Sequence, residues 1–171
     1  MTVQVTNAQR QCRVATTTVA RLARCTVQQL GIRVPGLLVI TFLDARRLRR
    51  LNQQFLRQDR PTDVLSFRYD GEPIVGEVLI APSAARRYAH THRVSYQQEL
   101  LRYVVHGILH WTGLDDKSQA QRRRMRKKED DLLWVCRERR AADGAGRGSA
   151  LSERRRTVGQ GMTGPARSIR W

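Results

Sequence analysis

The segment His106-Gly-Ile-Leu-His110-Trp-Thr-Gly113-Leu-Asp-Asp116 constrains this chain more than any other stretch. Two histidines four apart on a helix share one face, about one turn apart, so both imidazoles can reach one ion. Gly113 can adopt the left-handed conformation that ends a helix, which turns the chain back and returns Asp116 toward the imidazoles. Two nitrogens and a carboxylate oxygen suit Zn²⁺, and three protein ligands leave a fourth position for water. His106, His110 and Asp116 are therefore the expected ligands of one metal ion per chain. A histidine pair alone on an apolar helix is often just core histidine; the glycine and the carboxylate after it favour the metal. Leu100, Leu101, Val104, Val105, Ile108 and Leu109 cover nearly every side of the same helix, which predicts that it is buried.

The spacing overlaps the zinc-protease pattern H-E-x-x-H-x-x-G-x-x-H, in which the glutamate is the general base. Here that position is Gly107, so peptide hydrolysis is disfavoured while metal binding is not. The charge balance points to another substrate. Among 171 residues, 32 are Lys or Arg and 15 are Asp or Glu, giving a net charge of +17. Such a field suits a polyanion, most commonly nucleic acid, since each phosphate neutralised releases counterions. The plainer alternative is a merely solvated basic surface. The stretch Arg122-Arg-Arg-Met-Arg-Lys-Lys128 surrounds its helix, and Glu129-Asp-Asp131 follows at once, so phosphate contact is expected from part of it only.

Apolar alternation at Val3 and Val5 predicts a first strand, then a helix from about Cys12 to Leu30 stopping at Gly31. Leu37 to Leu43 reads as a buried strand, and Asp44 can cap a helix whose apolar positions Leu48, Leu51 and Phe55 fall at helical spacing, with arginines on the other face. Asp63 to Tyr69 and Val75 to Ile80 flank an Asp70-Gly71 turn signal and read as antiparallel neighbours. Pro82 and Ser83 can open a helix to about His90, Ser95 can cap the histidine helix, and a last helix is expected from about Ser118 to Arg140, with Met125, Leu132, Leu133 and Cys136 inward. Residues 1–140 read as one domain. Residues 141–171, rich in Gly, Ser and Arg, read as a disordered basic tail. Cys12, Cys25 and Cys136 are odd in number and widely spaced, which argues against a disulfide framework or a thiolate site. The N-terminus lacks a signal-peptide pattern, and no apolar run approaches bilayer-spanning length, so a cytoplasmic protein without membrane contact is expected.

Asp59-Arg-Pro-Thr-Asp-Val-Leu-Ser-Phe67, Gly76-Glu-Val-Leu-Ile80, Glu99-Leu-Leu and the His106-to-Asp116 segment, in this order, closely resemble the YbeY family of rRNA maturation endoribonucleases. The resemblance implies an α+β fold, with a small mixed β-sheet packed against helices and a buried metal-ligand helix. It also implies zinc, single-strand-specific cleavage in small-subunit rRNA maturation and ribosome quality control, and ribosomal particles as partner. Two positions depart from the commonest family pattern. The third ligand is usually histidine, whereas this chain has Asp116; Asp115 matches a family aspartate. The family also places an activity-linked arginine directly after the aromatic residue of an L-N-x-x-aromatic string. Here Leu51-Asn-Gln-Gln-Phe55 is followed by Leu56, and Arg57 comes one place later, rotated by about 100° on a helix. Arg57 or Arg60 is then the candidate cation for the transition state, and Asp115 or Glu77 the candidate base or orienting group for a ligand histidine. Asp63 and Ser66 are expected to cap or bridge backbone near the site, and Tyr103 and Trp111 either stack on bases or belong to the core. The alternative to an enzyme is a metal-stabilised ribosome-assembly or RNA-binding factor with little catalysis.

Overall fold

The computed structural model describes residues 1–69 and 73–157, with side chains as far as Arg139. The elements run β1 (Thr2–Asn7), α1 (Thr16–Gln29), β2 (Leu37–Phe42), α2 (Ala45–Leu56), β3 (Val64–Arg68), β4 (Ile74–Ile80), α3 (Pro82–His92), α4 (Tyr96–Trp111) and α5 (Gln119–Thr157). The four strands form one sheet in the order β1-β2-β4-β3. β1 and β2 are parallel, as are β2 and β4, while β3 runs antiparallel to β4 as the sequence predicts. The sheet is therefore mixed and the fold α+β. The expected Asp70-Gly71 turn lies outside the described residues.

Period-two alternation divides the sheet residues between two faces. Leu38, Ile40, Phe42, Val78 and Ile80 join Val19, Leu22 and Ala23 of α1 and Val104, Val105 and Ile108 of α4 in one core cluster. On the other face Leu65 and Leu79 pack with Leu48 of α2 and Ala84 of α3. Asp44 caps α2 by accepting from Arg47 N at 2.8 Å, and Ser95 caps α4 through Gln98 N. α1 begins later than the sequence predicts, because the Gln9 side chain folds residues 9–12 into a turn. Its Oε1 accepts from Gln11 N and Cys12 N, and its Nε2 donates to Cys12 O.

The cysteines overturn the reading that no disulfide forms. Cys25 of α1 and Cys136 of α5 are bonded, with Cα atoms 5.8 Å apart and a sequence separation of 111, while Cys12 is free and buried. Spacing along the chain cannot reveal this pair; two helices that share one core bring it together.

The chain divides into two compact units, Met1–Cys136 and Arg137–Trp171. In the second, backbone helix continues past Arg140 to Thr157, and the remainder of the expected tail lies outside the described residues. Among the described residues, no helix is long and apolar enough to cross a membrane.

Candidate metal centre

α4 ends in a pair of interlocking backbone bonds. Gly113, at φ 93°, donates to His110 O at 2.8 Å, and Leu114 donates to Leu109 O at 3.0 Å. This Schellman closure reverses the chain immediately after the histidines. Asp116 is thereby carried back over the helix end, as the glycine spacing predicts.

The two imidazoles stand 4.4 Å apart, centroid to centroid, and nearly perpendicular. His110 Nδ1 donates to Leu114 O at 2.8 Å. A carbonyl can only accept, so the proton sits on Nδ1 and the Nε2 lone pair faces outward. His106 Nδ1 bonds Glu129 Oε1 at 2.8 Å, which leaves its Nε2 free in the same sense. Asp116 Oδ2 lies 4.0 Å from His106 Nε2, and Asp116 Oδ1 lies 3.8 Å from His110 Nε2. One ligand atom from each residue lies within 4.8 Å of the others, and the three could hold a metal ion. Two metal–ligand bonds of about 2.0–2.2 Å span at most roughly 4.4 Å, so both histidine–aspartate pairs already suit a shared ion. The three side chains are 22%, 28% and 38% exposed, leaving one side open to a further ligand.

Glu129 is the functional residue that sequence reasoning missed. It is buried on α5, where it also takes Arg102 at 3.1 Å and Arg126 at 3.8 Å. A carboxylate on the distal nitrogen of a ligand histidine fixes the ring and raises its basicity. Burial lowers the His106 pKa, but the Glu129 hydrogen bond and the charges of Glu129, Asp63 and Asp116 outweigh it and hold the value above the ordinary one. The overlooked signal was periodicity. Position 129 falls on the same stripe as Met125, Leu132 and Cys136, where an acidic residue calls for a partner.

Gly107 faces the sheet. A Cβ there would run into Val78 Cγ1 and meet Val64 Cγ1 at 3.0 Å, so the close approach of α4 to β3 and β4 leaves no room for the protease glutamate. Ser66 fastens the same spot by donating to Gly107 O at 2.9 Å.

A cavity of about 380 Å³ adjoins the three candidate ligands, with Asp63, Arg102, Tyr103, Arg122, Arg126 and Glu129 in its walls. Burial pushes the Tyr103 phenol well above its usual range. Trp111 belongs to the core, where its Nε1 donates to Val75 O at 3.0 Å and its ring covers Gly76. Asp115 is not among the residues of the cavity wall and is paired to Lys117 at 2.8 Å. That hydrogen bond, outweighing desolvation, holds its carboxyl below the usual range. Glu77 takes the Tyr69 hydroxyl at 2.9 Å, Arg60 donates to Gln58 Oε1, and Arg57 is the left-handed cap of α2 at φ 54°. None of these three lines the cavity.

Endoribonuclease YbeY of Flavobacterium psychrophilum is 42% identical over 93 residues, covering 54% of this chain and 66% of that protein. The protein of the same name from Chlorobium phaeovibrioides is 38% identical over 95 residues, or 55% and 64% respectively. The chain thus spans just under two thirds of the length of these curated relatives. A solution structure from Thermotoga maritima superimposes with a TM-score of 0.53 at 25% identity, covering 80% of this chain and 93% of that one. The family profile described as Endoribonuclease YbeY matches residues 4–136, and the chain belongs to that family.

Proposed function

We propose that this chain is a zinc-dependent endoribonuclease that cuts single-stranded RNA, acting on small-subunit rRNA and ribosomal particles in the cytoplasm during rRNA maturation and ribosome quality control. One observation carries the reading. The Nε2 atoms of His106 and His110 converge with the Asp116 carboxylate beside a cavity walled by Arg122 and Arg126, which is a metal site with a cationic flank suited to a phosphodiester. When bound, the ion supplies Lewis acidity toward a water or a phosphoryl oxygen. Glu129 and the Leu114 carbonyl hold the two imidazoles in orientation. Asp116 offsets one positive charge of the ion, so the Lewis acidity is weaker than three imidazoles would give. Asp115, held ionised by Lys117 and next to Asp116 in sequence, is the proposed proton acceptor. Arg57 is the proposed cation for developing phosphoryl charge, a task that Arg122 and Arg126 can share from the cavity wall.

A second reading, a metal-stabilised ribosome-assembly or RNA-binding factor with little catalysis, draws support from α2. Leu56, 50% exposed, stands where the family commonly has its arginine. Incubation of purified protein with unstructured RNA, with His110→Ala as control, separates the readings. Cleavage by wild type alone supports the enzyme. Equal cleavage by both refutes it as contamination, and RNA binding without cleavage by either selects the second reading.

A further inference from the structure

α5 presents two unlike sides. Met125, Glu129, Leu132 and Cys136 form its inner stripe, and at about 100° per residue Arg123, Lys127 and Trp134 cluster within roughly 40° of one another on the opposite side. Trp134 is 65% exposed, the most of any large hydrophobic residue among those described. Arg122 and Arg126 lie between the two stripes. They line both the metal cavity and a shallow groove of about 700 Å³ that also includes Arg123, Lys127, Asp130 and Asp131. Cationic side chains therefore extend from the metal cavity around the helix, with Asp130 and Asp131 the acidic residues among them. Asp130 pairs with Arg102 at 2.7 Å, and Asp131 is the second acidic residue of the groove. Trp134 continues the stripe about two turns beyond Lys127, some 16 Å along the axis from Arg123 at about 1.5 Å per residue.

We infer that this face of α5 is a docking rail for single-stranded RNA, in which Arg122, Arg123, Arg126 and Lys127 follow successive phosphates and Trp134 stacks on an unpaired base. An exposed indole on a cationic stripe is the combination that binds single strands without sequence preference, because every base offers a π-face. A duplex satisfies the cations but hides its bases from the indole. The inference takes from the endoribonuclease reading only the expectation that RNA approaches the metal centre; the rail itself is defined by residues that bind no metal.

The test is anisotropy of a labelled 2′-O-methyl oligouridylate, titrated with the full chain at several salt concentrations, against a duplex of equal length and heparin as competitors. Trp134→Ala weakens single-strand binding about tenfold with the salt slope unchanged, and Trp134→Phe recovers most of it. Arg123→Gln combined with Lys127→Gln lowers the slope by about 1.4, from roughly 0.7 per phosphate contact. Metal content and melting temperature stay at wild-type values in all variants. Wild-type affinity in Trp134→Ala, or equal losses for single strand, duplex and heparin, overturns the rail. A protein that binds through Trp134 yet cleaves no RNA refutes the endoribonuclease reading and leaves the rail standing; one that cleaves with unchanged KM in Trp134→Ala does the reverse.

Discussion

His106 Nδ1 lies 2.8 Å from Glu129 Oε1, joining α4 to α5 across 23 residues of sequence. The carboxylate is only 6% exposed, so its charge acts on the imidazole in a poorly screened setting. Glu129→Gln keeps the shape and removes that charge. We expect the affinity for Zn²⁺ to fall about 10–100-fold, measured by competition with a chromophoric chelator, with the far-UV circular dichroism unchanged. Affinity equal to wild type would show that Glu129 only packs.

The contact of α4 with the sheet sets a steric limit at Gly107. A methyl group there meets Val78 and Val64, an overpacking that costs about 1–3 kcal/mol. The better helix propensity of alanine returns only about 1 kcal/mol. Gly107→Ala should therefore lower the urea midpoint without changing the slope of the transition; a raised midpoint would mean that the helix can shift outward freely.

In metal-free protein the raised His106 pKa has a definite sign. The fold holds the His106 proton more tightly than the unfolded chain, whose value is about 6.5. The resulting stability is complete below that pH and is lost as pH rises through the folded value. Melting temperatures of the chelated protein should fall across this window, and His106→Gln should abolish that component. Parallel profiles for the two proteins would count against the Glu129 pairing.

The Cys25–Cys136 bond closes a long loop, and such cross-links typically contribute about 2–4 kcal/mol by restricting the unfolded chain. Dithiothreitol should lower the melting temperature, Cys136→Ser should match the reduced protein, and further reductant should not change that variant. Thiol titration in denaturant without reductant should find Cys12 alone; three reactive thiols would contradict the pairing.

Most of the architecture was legible because it is written in local patterns. Asp44 and Ser95 announce helix starts by their capping chemistry, Gly113 announces the reversal, and the spacing of His106, His110 and Asp116 anticipates their convergence. What escaped depends on contacts between distant segments. Nothing near Gln9 in sequence marks its side chain as the organiser of a turn that delays α1, since glutamine has no strong turn preference. Glu129 reads as the start of an acidic run, and only the arrival of α4 beside α5 makes it the partner of a histidine. Cys25 and Cys136 are likewise unremarkable until α1 and α5 share a core.

That last pair makes residues 25 to 136 a covalently closed ring. Within it lie β2, β3, β4, His106, His110 and Asp116. A single proteolytic nick inside the ring, for example among the exposed side chains of residues 57–61, releases no fragment. The severed segments remain tethered through α1 and α5, so His106, His110 and Asp116 stay on one covalent molecule until the bond is reduced.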